Sequence, residues 1–435
     1  MDNKGFINNY PIILVHGFLG WGREEMAGYK YWGGEDDIQS ILNDSHYRTY
    51  TAVVGPLSSN WERAVDLYYY IVGGTVDYGA AHAEKYNIKR FGHTYQGIYP
   101  LISNKNKIHL VGHSMGGLTI RLFEKLLREG SEEEREYSRK NPEIEVSDLF
   151  LGDKKWVHSL TSLSTPHNSG TILTQPGAGG KIFYPLVMEI AALAGINHVN
   201  FLYDFKLDQW GLKREKGEYF LEYLERVMES DMWKSNNTAW YDMSMEKTAK
   251  LNQITGPYPD SFYLSFYSNT TFKNPATGHY LPEITTSIPF LYDAYETGKF
   301  SGSDVLPGGD ISWRVSDGVV NVPSGKSPFG HPSKEVLRDD PKFEPGIWNV
   351  FPEIHGLDHM QMIGVHIGAR ILKKDVIPFY KELAEILVRL EKGAVIANND
   401  SQKKKEQSED TKTPARKTKN TSKSTTKKRT TSIKK

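Results

Sequence analysis

The sequence predicts an α/β fold, a mostly parallel central sheet with helices on both faces, and three observations predict it. Short apolar runs end in turns, stretches with apolar residues at three- and four-residue spacing stand between them, and the two patterns alternate along the chain. Short apolar runs of this kind read as strands buried on both faces, and strand alternating with helix is how a parallel sheet is connected.

Taken in order, strands are expected over residues 12–15, 49–54, 108–111 and 160–163. Helices packed on the sheet are expected over 60–72 and 117–128, and an amphipathic helix over 377–390 closes the domain. No internal repeat is visible. At 435 residues, with 38% hydrophobic and 12% aromatic content, the chain can bury a large core. No run of eighteen apolar residues occurs, and Met1 to Tyr10 lack a basic region followed by an apolar one, so neither a membrane span nor a secretory signal is expected. The absence of cysteine excludes disulfides, thiolate nucleophiles and cysteine zinc sites.

The formal net charge of zero hides an asymmetry, because the chain from Ser401 onward carries thirteen Lys/Arg against three Asp/Glu. With almost no apolar residues to bury, this stretch is expected to be disordered. The expected division is therefore a folded domain over 1–395 and a basic tail over 396–435. The tail is either a silent solvated extension or an electrostatic contact to an anionic surface. No aromatic residues are interleaved with its charges, which argues against specific nucleic-acid binding.

The chemistry-bearing motif is Gly112-His113-Ser114-Met115-Gly116. A G-x-S-x-G pentapeptide is weak alone in a chain with 39 glycines, but here it sits between an expected strand and an expected helix. Strand, sharp turn and helix form a nucleophile elbow, in which small flanking residues let the backbone pass and the helix dipole faces the serine. Upstream, Val15-His16-Gly17-Phe18 follows the first strand, where a backbone N–H can point at a developing oxyanion; Phe18 and Met115 are the candidate donors. A histidine and an acid are then needed later in the chain. His359, in the loop-like Gly356-Leu357-Asp358-His359-Met360, is the candidate base, with His355 as runner-up. Asp317, in a tight turn before Val319-Val320, is the candidate orienting acid; Asp304, Asp310 and Asp358 are weaker choices.

Together with these, the stretches PIILVHGFLGWGREE, YWGG, VGGTVDYGAAHAEKY, IHLVGHSMGG, STPH, YDFKLDQWGL, SFYLSF, SDGVVN and GLDHMQMIG make the chain resemble, over roughly residues 8–392, the secreted triacylglycerol lipases of staphylococci and thermophilic bacilli. The resemblance implies an α/β-hydrolase fold, the triad Ser114, Asp317 and His359, lipid substrate at an oil–water interface, and secretion; a cytoplasmic location is the alternative. It also implies a lid, placed about residues 170–199, where an apolar helix-like segment includes Phe183 and Leu186. Its zinc site falls on Glu62, His82 and Asp242, but Ile88 stands where a second histidine is expected. Three ligands and a water could hold zinc with weakened affinity, and His93 could swing in; otherwise these residues form a polar cluster tying an inserted segment to the core. Calcium is not expected, because Gln361 and His366 replace the acids of the family's site and leave only Gly278 and Asp358 as ligands. The expected activity is ester hydrolysis through an acyl-enzyme. A phospholipase or soluble carboxylesterase is the alternative within the class, and an idle hydrolase fold serving as a surface adhesin the alternative outside it.

Overall fold

Strand β1 (Ile12–Val15) shows how this chain comes to be layered. Its four residues are all buried, yet Ile12 and Leu14 join one apolar cluster while Ile13 and Val15 join another. Successive side chains of a strand point to opposite faces, so a strand apolar at every position must be covered on both. The computed structural model describes residues 5–174, 203–301, 310–337, 342–366 and 375–393, and in them both coverings are present. One face carries helices Ile38–Asp44 and Ile377–Glu391; the other carries Asn60–Val72 and Met115–Glu129.

After β1 come β2 (Thr49–Ala52), the hairpin β3 (Gly74–Asp77) and β4 (Phe91–Tyr95), then β5 (Ile108–His113), β6 (Val157–Leu163) and β7 (Phe262–Phe266). The short strands β8 (Ser268–Asn269), β9 (Thr271–Lys273) and β10 (Tyr280–Pro282) follow, then β11 (Ser333–Glu335), β12 (Trp348–Val350) and β13 (Ile354–His355). Seven of them form the main sheet in the order β11-β12-β7-β6-β5-β1-β2, with every neighbouring pair parallel. Among the described strands, β3 with β4 and β9 with β10 pair antiparallel.

The four expected strands are present, β1 with unchanged limits and β5 and β6 longer than their apolar runs. Three sheet strands, β7, β11 and β12, were not expected; β11 reads Ser-Lys-Glu and carries no apolar residue that periodicity could register. The helix expected from residue 117 starts at Met115, directly behind the serine, because Gly116 and Gly117 are helical residues and not a turn. The domain boundary, the basic tail and the lid beyond Thr174 lie outside the described residues. Among the described residues, no helix is long and apolar enough to cross a membrane.

Candidate functional site

β1 and β5 are neighbours in register, Val15 beside Gly112, so the segments leaving their ends meet at one edge of the sheet. Ser114 stands there with φ 55 and ψ −130, a conformation an L-residue holds only under constraint. The glycines supply the constraint's clearance. A Cβ on Gly116 would lie 2.3 Å from the Val15 carbonyl oxygen, and one on Gly112 2.5 Å from Gly116. The helix can therefore begin immediately behind Ser114 and aim its unsatisfied N–H groups, Met115 among them, toward the serine.

The second candidate donor is set by the peptide that carries it. The Gly17 carbonyl lies 2.9 Å from His16 Nδ1 and accepts from Arg63 Nη1 at 3.4 Å. Because the peptide is trans, holding that oxygen fixes the Phe18 N–H on the opposite side. Arg63 is fully buried; it also donates to the carbonyls of His16 and Gly55 and to Thr119 Oγ1, which ties the turn to both helices on that face. Burial and the Arg63 charge push His16 down to about 3, so it is neutral. Its Nδ1 then donates to Gly17 and its Nε2 accepts from Val54 N–H.

A second network joins this turn to the elbow. The Tyr31 hydroxyl accepts from Gly17 N–H at 2.9 Å and lies 2.6 Å from His113 Nδ1, while His113 Nε2 lies 3.0 Å from the His359 carbonyl. A carbonyl only accepts, so Nε2 carries the proton, and Tyr31 donates to Nδ1. Burial drives the His113 pKa well down and the Tyr31 pKa up, which keeps both neutral and this order of donors fixed.

Asp317 and His359 meet across 42 positions of sequence. His359 Nδ1 lies 2.9 Å from Asp317 Oδ2, and the backbones are tied as well, His359 N–H donating to the Asp317 carbonyl at 2.9 Å. The other carboxylate oxygen accepts from Val319 N–H (3.0 Å) and Val320 N–H (2.7 Å), so the tight turn after Asp317 is what orients it. Ser114 and His359 both line one cavity of about 470 Å³, walled mostly by apolar groups including Phe18, Ile172, Leu173, Trp240, Met243 and Phe290.

The rival candidates lie elsewhere. The His355 side chain is 57% exposed and pairs with Glu283 and Glu353. Asp310 is an exposed helix cap, Asp304 is outside the described residues, and Asp358 spends its oxygens on the backbone N–H groups of Ser287, Met360 and Gln361. Tyr31, His113 and Arg63 have no role in the sequence reading; YWGG and the second residue of the pentapeptide were the only signals for the first two.

The candidate zinc residues form a different kind of cluster. Glu62 is fully buried, and its two oxygens accept from Asn237 Nδ2 (2.6 Å) and Gln209 Nε2 (2.8 Å). His82 Nε2 stands 3.8 Å from Glu62 without a hydrogen-bond partner, its ring stacked on Trp61. Asp242 accepts from Asn60 N–H, and burial, with the Glu62 charge adding, raises it to about 6. His93 packs on Tyr95 and faces Asp66. Among the described residues, no three His, Asp or Glu side chains gather with metal-holding spacing. An amide already donates to each Glu62 oxygen, and as placed Glu62, His82 and Asp242 do not stand together as a ligand set. Of the residues the resemblance sets near a calcium site, the Gly278 carbonyl accepts from Arg314, and Gln361 donates to the Thr285 carbonyl.

A parallel sheet with a strained serine between strand and helix, on a cavity that a carboxylate-paired histidine also lines, defines an α/β-hydrolase. Comparison with known proteins narrows this. Residues 8–399 match the family model described as "Lipase-like, C-terminal domain", and the chain belongs to that family. Among solved structures it is similar to EstA from Clostridium botulinum, at 42% identity and a TM-score of 0.78, covering 89% of each chain. It is also similar to Staphylococcus hyicus lipase, at 33% identity and a TM-score of 0.76, covering 90% of this chain and 98% of that one. Lipase 1 of Staphylococcus aureus is 37% identical over 390 residues, 88% of this chain and 55% of the relative, so the chain spans about half the length of the curated relatives it matches.

Proposed function

We propose that the chain hydrolyses carboxylic ester bonds of lipids, triacylglycerols foremost, through an acyl-enzyme on Ser114. The observation that carries this reading is the Asp317–His359 pair held at 2.9 Å on the cavity that Ser114 also lines. In the reaction, His359 Nε2 takes the Ser114 hydroxyl proton as Oγ attacks the ester carbonyl. Asp317 holds the imidazole in the tautomer this requires, and the Phe18 and Met115 N–H groups stabilise the oxyanion. Collapse of the tetrahedral intermediate breaks the bond to the alcohol, which leaves with the proton from His359. Water, deprotonated by the same histidine, then attacks the acyl-enzyme and releases the fatty acid and free Ser114.

Support for lipid as the substrate comes from the cavity's apolar walls and its rim. Ile288 and Tyr292 line the cavity and are 61% and 67% exposed. Large apolar side chains left in water around a pocket suit contact with an oil surface. The apolar segment around Phe183 and Leu186, read from sequence alone as a lid, belongs to the same proposal, as do secretion and an anionic-surface contact by the basic tail. The test is Ser114→Ala. It abolishes hydrolysis of p-nitrophenyl butyrate and emulsified tributyrin, a loss of about 10⁴-fold or more, and a fluorophosphonate probe labels only the unsubstituted protein. Retained hydrolysis, or labelling of another residue, overturns the reading.

A further inference from the structure

One acid in the cavity has no part in the chemistry above. Asp293 lies in the first turn of helix Leu291–Gly298 and is, among the described residues lining the cavity, the only carboxylate. Its neighbours in the wall are Ile288, Pro289, Phe290 and Tyr292. Asp293 is half-buried. The fully buried acids Asp66 and Glu124 are supplied with donors: Asp66 accepts from Gly55 N–H and the Tyr78 hydroxyl, and Glu124 from Ser261, Tyr263 and Arg128. The Asp293 carboxyl accepts no hydrogen bond and joins no ion pair among the described residues.

The charged and titratable groups on the surrounding elements are all committed or distant in effect. Arg314 donates to the carbonyls of Gly278 and Phe300, Lys299 pairs with Glu296 and covers the Tyr295 ring, and Asp310 caps its own turn. Neither Tyr280 on β10 nor Tyr292 beside it donates to the carboxyl, the short helices Ile288–Phe290 and Thr171–Thr174 carry no charge, and His359, which also lines the cavity, is paired with Asp317. Burial alone raises Asp293, to about 6. An uncompensated carboxylate in an apolar wall is unfavourable for folding, and its charge is weakly screened across the cavity it faces.

We infer that Asp293 is a charge-selecting group of the substrate pocket, favouring esters that carry a cationic group over neutral esters of the same shape; the inference rests on the proposed ester hydrolysis. A positive group entering the pocket supplies a partner that none of the described residues offers, while a neutral isostere adds none.

The experiment compares kcat/KM for butyrylcholine with kcat/KM for 3,3-dimethylbutyl butyrate, its uncharged isostere, from pH 5 to 8. Taking the ratio cancels the titration of the triad, which both esters share. The expected ratio is highest at pH 8 and falls as pH drops through about 6, where Asp293 takes up its proton. Asp293→Asn lowers the pH 8 ratio by about tenfold, the modest worth of a single partly screened charge, and makes it independent of pH; Asp293→Glu keeps a pH-dependent ratio. A ratio that Asp293→Asn leaves unchanged, or one flat with pH in the unsubstituted protein while both esters are hydrolysed, overturns the inference and leaves the ester-hydrolase reading standing. Failure to hydrolyse either ester by a preparation that hydrolyses tributyrin overturns the inference alone; failure on tributyrin as well overturns the ester-hydrolase reading with it.

Discussion

Two polar clusters lie in this molecule, one at the end of β1 and β5 and one around Glu62, and both use residue types that can bind, ionise and react. They differ in what their polar atoms already have. At the first, the supporting atoms are saturated and the reacting ones face a cavity. Asp317 has three donors, the Gly17 carbonyl has two, and Tyr31 and His113 fix one another's protons, while Ser114 and His359 open onto apolar space. At the second, the atoms expected to do the binding are already engaged, since a side-chain amide donates to each Glu62 oxygen. A site is recognisable less by its residue types than by which of their lone pairs and protons remain to be used.

The comparison predicts that disturbing the first cluster costs activity and disturbing the second costs stability. Asp317→Asn is the largest expected effect on the first side. The amide cannot satisfy both the two backbone donors at Oδ1 and the imidazole at Oδ2, so either the turn or the histidine tautomer is lost. kcat should fall by about 10⁴-fold, measured with p-nitrophenyl butyrate. A loss under tenfold would mean that Asp317 does not orient the base.

Tyr31→Phe is a finer cut. It removes the one hydroxyl that joins Gly17 N–H to His113, leaving the ring contacts with Trp21 and Trp32 in place. The peptide just before the one that bears Phe18 N–H loses its tie to Tyr31, so the turn loosens and kcat should fall by about 10- to 100-fold, as expected for a loosened oxyanion donor, with KM nearly unchanged. A matching rise in KM would make Tyr31 a substrate contact and not a positioning residue.

How much of this was legible in the sequence follows the same division. Ser114, Asp317 and His359 could be picked because the chemistry demands those residue types beside turn and strand signals that local sequence carries. The strands that frame them were legible where burial on both faces makes every residue apolar, as in Ile12–Val15, and illegible in Ser333–Glu335, whose place at the sheet edge needs no apolar side chain. Arg63 and Tyr31 act through backbone atoms 46 and 14 positions away, and no local pattern announces a partner at that distance. Glu62 was legible as an acid at a resemblance-implied metal position. That its oxygens would be taken by Gln209 and Asn237, 147 and 175 positions on, was not.

The smallest predicted effect separates the two clusters most cleanly. Glu62→Gln replaces one acceptor oxygen by an N–H₂ group facing the amide donors of Asn237 or Gln209, so a buried donor is left opposite a donor. That mismatch should lower unfolding stability by about 1–3 kcal/mol, read from denaturant midpoints, while kcat on a soluble ester changes less than twofold, since none of these groups lines the catalytic cavity. If the amides stand where a cation would otherwise be needed, a strong chelator should leave the melting temperature of the unsubstituted protein unchanged, and added zinc should not raise it. A chelator-induced drop in melting temperature, or a stoichiometric zinc found in the purified protein, would show that Asn237 and Gln209 yield their places to a metal, and the contrast between an open site and a closed one would fail at Glu62.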